Sequence, residues 1–383
     1  MDRRLLLATR GLRAFGFGFA AVLLGIHLER RGLSPPAIGI TLGLGLAAAS
    51  VLGLASAWAS SLIGRRGALA VCGVLMALAG IDLALARSTT LLMVAGVTGM
   101  LGAASADLGP FASVEQAMLA EAVPDAASNI AFGRYSLVGG MLNAAGGLAA
   151  ILATAGSTSW FFGLYAILGI ATAVLPLLMS DGVESRVPAT AIFRPTRALA
   201  GLALLFALDS LGGGFVANAV IAYWLHARFG AGTAFLGPVF GFIALLQAAS
   251  YELSGRLANR FGLINTMVFT HLPSNLLLLL VPFSPNLAAA VAVLFARFAL
   301  SQMDVPARQA YVVSMVPPAE RAGAVAMTGA VRGVAQSVGP VITGIAIASA
   351  VFGLPFFAGG GTKIVYDLAL YVGFRNRRAA HET

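Results

Sequence analysis

Apolar stretches of about twenty residues recur from one end of this chain to the other, and each is long enough to cross a bilayer as an α-helix. Of the 383 residues, 59% are hydrophobic and only 10% are charged, whereas a soluble domain carries about 25% charged residues. The sequence therefore predicts a polytopic all-α membrane protein. Its twelve predicted spans are centred near Ala20, Leu52, Leu75, Gly99, Leu142, Ala166, Val216, Leu245, Leu276, Leu294, Ile342 and Val365.

The arginines of the connections predict how these spans are oriented. With the N-terminus inside, the outer connections hold only Arg30, Arg31, Arg87 and Arg228, and the inner connections and tails hold the other loop arginines. This asymmetry follows the positive-inside rule and predicts that both termini are cytoplasmic. The net charge of +9 is then a property of loops at one membrane face, so we expect a lipid bilayer and no nucleic acid as a partner.

The two halves of the chain resemble each other. HLERRG at 27–32 aligns with LHARFG at 225–230, and SVEQAMLAEAVP at 113–124 aligns with PARQAYVVSMVP at 306–317. A repeat of this length corresponds to a six-helix half, and two such halves form a transporter with its site at their interface. We expect an N-terminal six-helix bundle at 1–179, a cytoplasmic connecting loop at 180–198 and a C-terminal six-helix bundle at 199–383.

A loop in each half carries a recognisable motif. GRLANRFG at 255–262 resembles the signature loop of the major facilitator superfamily, Gly-x-Leu-Ala-Asp-Arg-x-Gly-Arg-Arg. The copy in the first half, which is usually the stronger one in this family, is degraded here. The positions that carry the resemblance are Gly255, Arg260 and Gly262, with Asn259 in place of the aspartate, and in the first half Gly64, Arg65 and Arg66.

The resemblance covers the whole chain and implies the fold of that superfamily, with twelve transmembrane helices in two pseudo-symmetric six-helix bundles. It also implies transport by alternating access, with helices 1, 4, 7 and 10 around a central cavity. The segments SVEQA at 113–117 and DVPARQAY at 304–311 further resemble a bacterial branch of the superfamily. These resemblances indicate a fold and a general activity but no ligand.

Charged and polar residues inside the predicted helices are the candidates for the site. A charge at mid-membrane costs about 2.5–3.5 kcal/mol on insertion scales, so it normally faces a cavity or a partner. Carboxylates there can carry a proton, and arginines can bind an anionic or zwitterionic substrate; a static salt-bridge network is the alternative. Polar amides there can contact the substrate, and the favoured alternative is that they bridge neighbouring helices. The proton-coupling candidates are Asp304, Asp209 and Asp107, and the substrate-cavity candidates are Arg13, Arg134, Arg297, Arg332, Asn143 and Gln336.

Predicted helices 4 and 10 also carry polar residues near their cytoplasmic ends. We expect Pro306 to bend or end helix 10 just after Asp304. Two charges of opposite sign occupy equivalent positions of these helices, and we expect them to pair as an inner gate when the cavity opens outward; ordinary interfacial charge is the alternative. The gate candidates are Glu115, Gln116, Arg308 and Gln309.

The polar residues of predicted helices 9 and 12 are interpreted as structural. Lys363 and Asp367 are spaced i,i+4 and can neutralise each other on one face of a peripheral helix. His271 is interpreted as a hydrogen bonder between packed helices. The sequence contains no Cys/His metal cluster, nucleotide-binding glycine-rich loop or convincing catalytic triad, so we expect no enzyme, no cofactor and no metal site.

Together these features predict a secondary active transporter of a small organic solute in a bacterial inner membrane. The sequence contains no recognisable ATP-binding segment, so an ion gradient or facilitated diffusion would drive transport. We expect proton-coupled efflux by a monomer. A non-transporting sensor or scaffold on a transporter fold is the alternative, because the first signature loop is degraded.

Overall fold

The computed structural model describes residues 2–102, 110–121, 125–153, 157–184, 196–316 and 321–375. These residues form helices joined by short connections, with no strand among them. The helices are α1 (Asp2–Arg30), α2 (Pro35–Leu85), α3 (Thr89–Val94), α4 (Pro110–Glu121), α5 (Asp125–Ala149), α6 (Thr158–Leu177), α7 (Arg197–Phe215), α8 (Asn218–Phe229), α9 (Thr233–Phe261), α10 (Leu263–Leu280), α11 (Leu287–Leu300), α12 (Asp304–Ser314), α13 (Arg321–Gln336), α14 (Val338–Ala348) and α15 (Leu354–Phe374).

The outer surface of the bundle is apolar. In the described part of the chain, nine segments are long and apolar enough to cross a membrane, and Thr89–Thr98 and Leu287–Leu300 are shorter apolar helices. Many large hydrophobic side chains are exposed, among them Trp160 and Val372 with 80% and 74% of their surface accessible. A surface of this kind would associate in water, but it suits lipid tails. The protein is an all-α membrane protein, consistent with the twelve predicted crossings.

Left-handed glycines mark equivalent turns in the two halves, α1–α6 and α7–α15. Gly32 (φ 89°) and Gly230 (φ 68°) follow the first crossing of each half, and Gly64 (φ 76°) and Gly262 (φ 85°) follow the second. Residues with a side chain rarely adopt these angles, so the sequence repeat is also a backbone repeat. We call the end of the bundle with Gly32 and Gly230 the Gly32 end, and the opposite end the Gly64 end.

The two halves pack against each other at the Gly32 end. Glu29 Oε2 of α1 lies 3.1 Å from His226 Nε2 of α8, and the Thr233 hydroxyl of α9 donates a hydrogen bond to the Ala153 carbonyl after α5. The backbones of α2 and α14 approach so closely that a Cβ on either facing glycine would overlap the other helix. Small residues allow such close crossings in membranes. The interface between the halves is therefore closed at this end.

Two crossings of the C-terminal half are interrupted over two or three residues, and a third is interrupted at Ser337 between α13 and α14. α7 ends at Phe215 and α8 begins at Asn218, and α11 ends at Leu300 and α12 begins at Asp304. The break in predicted helix 10 thus precedes Asp304, and Pro306 does not end the helix, because α12 continues to Ser314. The expected bend is present, since a proline cannot bond the carbonyl four residues earlier, which here belongs to Gln302 within the break. Pro306 lies in the first turn of α12, where N–H groups have no intrahelical partner and a proline is tolerated.

Candidate functional site

A cavity of about 540 Å³ lies between the two halves. It lies at mid-depth and extends towards the Gly64 end, because its lining includes Arg10 of α1 and Gln309 of α12, which lie on the Gly64 side of the middle of their crossings. The N-terminal half contributes few polar groups to its wall and the C-terminal half contributes many. The charged and amide-bearing lining residues are Arg10, Asn143, Asp209, Asn218, Gln247, His271, Arg297, Gln302, Asp304, Arg308, Gln309, Arg332, Gln336 and Lys363.

Asp209 of α7 is the centre of an ionic cluster in the C-terminal half. Its Oδ1 lies 2.6 Å from Lys363 Nζ and 3.6 Å from His271 Nε2, and its Oδ2 accepts a hydrogen bond of 3.2 Å from Arg308 Nη1. The same Arg308 nitrogen donates to Asp304 Oδ2 at 2.8 Å. All five side chains are buried. The cluster brings together α7, α10, α12 and α15 near the middle of their crossings.

A second set of hydrogen bonds lies behind His271. Its Nδ1 is 2.8 Å from Asp367 Oδ1, and Asn275 Nδ2 donates to Asp367 Oδ2 at 2.8 Å. The expected pairing of Lys363 with Asp367 is therefore wrong, because each binds a different neighbouring helix. His271 and Lys363 also line the cavity. The i,i+4 spacing predicts a local partner for Lys363 that the folded protein does not use, so the sequence did not indicate its place in the cavity wall.

Arg297 of α11 and Arg332 of α13 lie on the same wall. Arg332 Nε donates a hydrogen bond of 3.0 Å to the Ser210 hydroxyl. Arg297 is 6% exposed, and its Nε has no hydrogen-bond partner among the described residues. Its guanidinium carbon lies 4.3 Å from the centre of the Phe298 ring. No ion pair among the described residues includes either arginine.

The N-terminal half contains its own buried ion pair. Arg13 Nη2 of α1 lies 2.6 Å from Glu115 Oε2 of α4, and the Tyr135 hydroxyl of α5 donates to the same oxygen at 2.6 Å. Arg13 does not line the cavity among the described residues. Arg10, one turn earlier on α1, does, and its guanidinium carbon lies 4.7 Å from the centre of the Tyr135 ring. Sequence reasoning did not select Arg10, although i,i+3 spacing places it on the same helix face.

The remaining cavity candidates have different locations. Asn143 of α5 and Gln336 of α13 are half-buried in the cavity wall. Arg134 is exposed and is not among the described lining residues. Asp107 lies outside the described residues.

The gate candidates lie in separate halves without touching. Glu115 binds Arg13 and Tyr135, and Arg308 binds the two aspartates of its own half. Gln116 is half-buried, and Gln309 is exposed on the cavity wall. The pairing of Glu115 with Arg308 when the Gly64 end closes stays a prediction.

Comparison with known families decides the class of the protein. The profile of the Major Facilitator Superfamily matches residues 6–303. This chain belongs to that superfamily. An uncharacterized membrane protein of Saccharomyces cerevisiae is 26% identical to this superfamily member in an alignment of 416 positions, which covers 96% of this chain and 93% of the yeast protein.

Solved structures of transporters share the fold of this superfamily member. The nucleoside transporter NupG aligns with a TM-score of 0.80 at 12% identity, over 98% of this chain and 100% of its own. A POT family peptide transporter aligns with a TM-score of 0.77 at 11% identity, over 99% of this chain and 98% of its own. A D-xylose–proton symporter aligns with a TM-score of 0.73 at 15% identity, over 96% of this chain and 97% of its own. At these identities the likeness concerns the fold. Family and fold together support membrane transport of a solute, not enzymatic catalysis.

The first signature loop of this superfamily member is tied to the turn after α6. Glu184 accepts hydrogen bonds from the backbone N–H groups of Arg65 at 2.5 Å and Arg66 at 3.2 Å and from Arg66 Nε at 2.9 Å. Partial burial would raise the pKa of Glu184, but these bonds lower it below its ordinary value. The degraded loop thus still anchors the start of the third crossing. In the second half, Gly255, Asn259 and Arg260 lie in the last turns of α9, and Gly262 follows them.

Proposed function

We propose that this superfamily member is a secondary active transporter that exports a small organic solute in exchange for protons by alternating access. The observation that supports this most directly is the cavity between the halves, closed at the Gly32 end and lined at mid-depth by charged side chains. Such charges are costly in a membrane, and a scaffold has little reason to bury them around a cavity. We further propose a monomer in a bacterial inner membrane with both termini cytoplasmic, so that the Gly64 end is the inner one.

The ionic cluster supplies a route for coupling in this proposal. The bundles at 1–179 and 199–383 move as two bodies, and the proposed proton carriers are Asp304, Asp209 and Asp107. In the inward-facing conformation Arg308 binds Asp304. When the Gly64 end closes, Arg308 leaves Asp304 for Glu115. Asp304 then lacks its counterion and takes a proton from outside, which it releases once the cavity opens inward and Arg308 returns.

The test uses proteoliposomes loaded with a pooled mixture of metabolites and drugs under an imposed proton gradient. Mass spectrometry identifies the solutes that move uphill. The wild type and the Asp304→Asn variant are compared, and Asp82→Asn is the matched control because Asp82 is a carboxylate of α2 outside the cavity wall. We expect uphill transport by the wild type and by Asp82→Asn. Asp304→Asn should lose uphill transport and keep solute exchange, since a neutral side chain at 304 cannot carry the proton.

Other outcomes would change the assignment. Unchanged uphill transport by Asp304→Asn would remove Asp304 from the coupling mechanism. If the wild type, shown to be folded and inserted, moved nothing from the mixture, the non-transporting sensor or scaffold would become the better interpretation.

A further inference from the structure

We infer that the solute is an organic anion whose carboxylate or phosphate group binds between Arg297 and Arg332. This inference rests on the proposed transport function and names its substrate class. Both arginines line the cavity between the halves. Arg332 binds the hydroxyl of Ser210, the residue after Asp209. The Arg297 carbonyl accepts a hydrogen bond from Ser274, one turn from His271 on α10, so both arginines lie beside the ionic cluster.

The charges on the described part of the cavity wall do not balance. Its two carboxylates already have cationic partners, because Asp209 binds Lys363 and both aspartates bind Arg308. Arg297 and Arg332 are left without a counterion among the described residues. A buried charge without a counterion is costly, and an anionic ligand would offset that cost. Among the described lining residues, the basic ones are Arg10, Arg297, Arg308, Arg332 and Lys363, and the acidic ones are Asp209 and Asp304.

Arg297 is the second observation that points to a ligand. It is 6% exposed, its Nε has no hydrogen-bond partner in the described part of the chain, and it lines the cavity. The contact of its guanidinium with the Phe298 ring holds the group in place without using its N–H donors. A planar guanidinium with free donors matches the two oxygens of a carboxylate or phosphate.

The rest of the wall indicates that this anion has an organic body. The rings of Phe17, Phe240 and Phe298 line the cavity together with the amides of Asn143 and Gln336. Aromatic side chains beside polar groups can hold the body of a small organic molecule, and the volume of about 540 Å³ lies within the usual range for such sites. An inorganic anion would leave most of this volume unused.

Thermal unfolding of the full-length protein in lipid nanodiscs tests the inference without a transport assay. The probes are three pairs matched in size: benzoate with benzamide, malate with malamide, and glycerol 3-phosphate with glycerol. We expect at least one anion to raise the melting temperature while its neutral partner does not. Arg297→Gln and Arg332→Gln should each weaken that binding about tenfold or more, as the loss of a charge-assisted hydrogen bond implies.

Arg134→Gln is the matched control, because it removes an exposed arginine that does not line the cavity among the described residues. It should bind the anion as the wild type does. If Arg297→Gln does not fold, the half-buried Arg332 still supplies the test. The inference is overturned if no anion discriminates from its neutral partner, or if both arginine variants bind with unchanged affinity. If the protein binds an anion but takes none up into proteoliposomes, the anion site stands and the transport proposal falls. If the protein takes up neutral solutes alone, the transport proposal stands and the anion site falls.

Discussion

Asp209 and Asp304 share one arginine but differ in their other partners. Asp209 contacts Lys363, Arg308 and His271, whereas Asp304 contacts Arg308. Removing one partner of a buried pair typically costs about 3–5 kcal/mol, because the remaining charge stays buried. We therefore expect Asp209→Asn to lower the free energy of unfolding by nearly that amount. Asp304→Asn should lower it clearly less, since Arg308 would still pair with Asp209. Thermal unfolding in nanodiscs measures the stability of both variants. An equal loss in the two, or a larger loss for Asp304→Asn, would contradict this account of the cluster.

Single residues were predictable where the fold alone decides their surroundings. Arg297, Arg332, Asp304 and Asp209 line the cavity because they lie on helices that face it in the superfamily fold. Lys363 was missed because an acidic neighbour one turn away offered a local explanation. A usable signal existed, since Lys363 and Asp209 occupy the middle of their crossings and opposite charges at one depth attract across helices. Which of several carboxylates Lys363 binds depends on how its helix is rotated about its axis, and hydropathy does not determine that rotation.

At the scale of the helix, α7 offers a matched pair of glycines. A Cβ at Gly214 would overlap the backbone oxygen of Gln336 in α13, whereas a Cβ at Gly201 would meet nothing within 4 Å. Gly214→Ala must therefore push the helices apart, and overpacking typically costs about 1–3 kcal/mol. Gly201→Ala should be neutral or stabilise by up to about 1 kcal/mol through helix propensity. Thermal unfolding of both variants tests this difference. If Gly214→Ala and Gly201→Ala were equally stable, α7 and α13 could separate without cost.

The turn between the second and third crossings should depend on pH through Glu184. Its pKa is lowered in the folded protein from an ordinary value of 4.5 by hydrogen bonds from Arg65 and Arg66. A lowered pKa stabilises the fold above the unfolded value and loses that contribution as the pH falls through the folded value. The wild type should melt higher than Glu184→Gln at neutral pH, and the difference should vanish in acid.

Asp181 provides the control for that measurement. It also contacts Arg66, at 2.5 Å, but its side chain is 92% exposed, and exposed ion pairs contribute little. Asp181→Asn should therefore melt close to the wild type. A larger loss for Asp181→Asn than for Glu184→Gln would mean that Arg66, not the backbone N–H groups, holds the turn.

The helices themselves were predictable, and their interruptions were not. Runs of apolar residues locate the crossings because the bilayer imposes their length. The break at 216–217 falls inside such a run, where hydropathy does not change. The break at 301–303 lies where the run ends, but a polar residue there does not by itself predict a break. Unpaired backbone groups in a membrane are tolerated where they are buried in protein or line a cavity, so these breaks follow from tertiary surroundings that a single segment does not reveal.

For the whole molecule, the sequence predicts two related halves but not which end of their interface is closed. The positive-φ glycines at 32, 64, 230 and 262 repeat because both halves make the same turns. The two halves can pack together at either end of their interface. In proteins that switch between two packings, the free energies of the two states differ by only a few kcal/mol. No pattern in one half encodes that difference. The contacts at the Gly32 end therefore had to be found in the folded protein.

Those contacts lead to a prediction about the whole transport cycle. Glu29 and His226 lie on opposite halves with their side chains 3.1 Å apart and partly exposed, so a cysteine at each position can be joined by a short thiol cross-linker. The native Cys72 is buried and should not react. Because alternating access requires the Gly32 end to open, the linked Glu29→Cys/His226→Cys protein should lose transport and regain it when the link is cleaved. Each single cysteine variant, treated in the same way, should keep its activity. Full transport with the link in place would mean that the halves do not separate at the Gly32 end, and the rocking of two bundles would have to be abandoned for this protein.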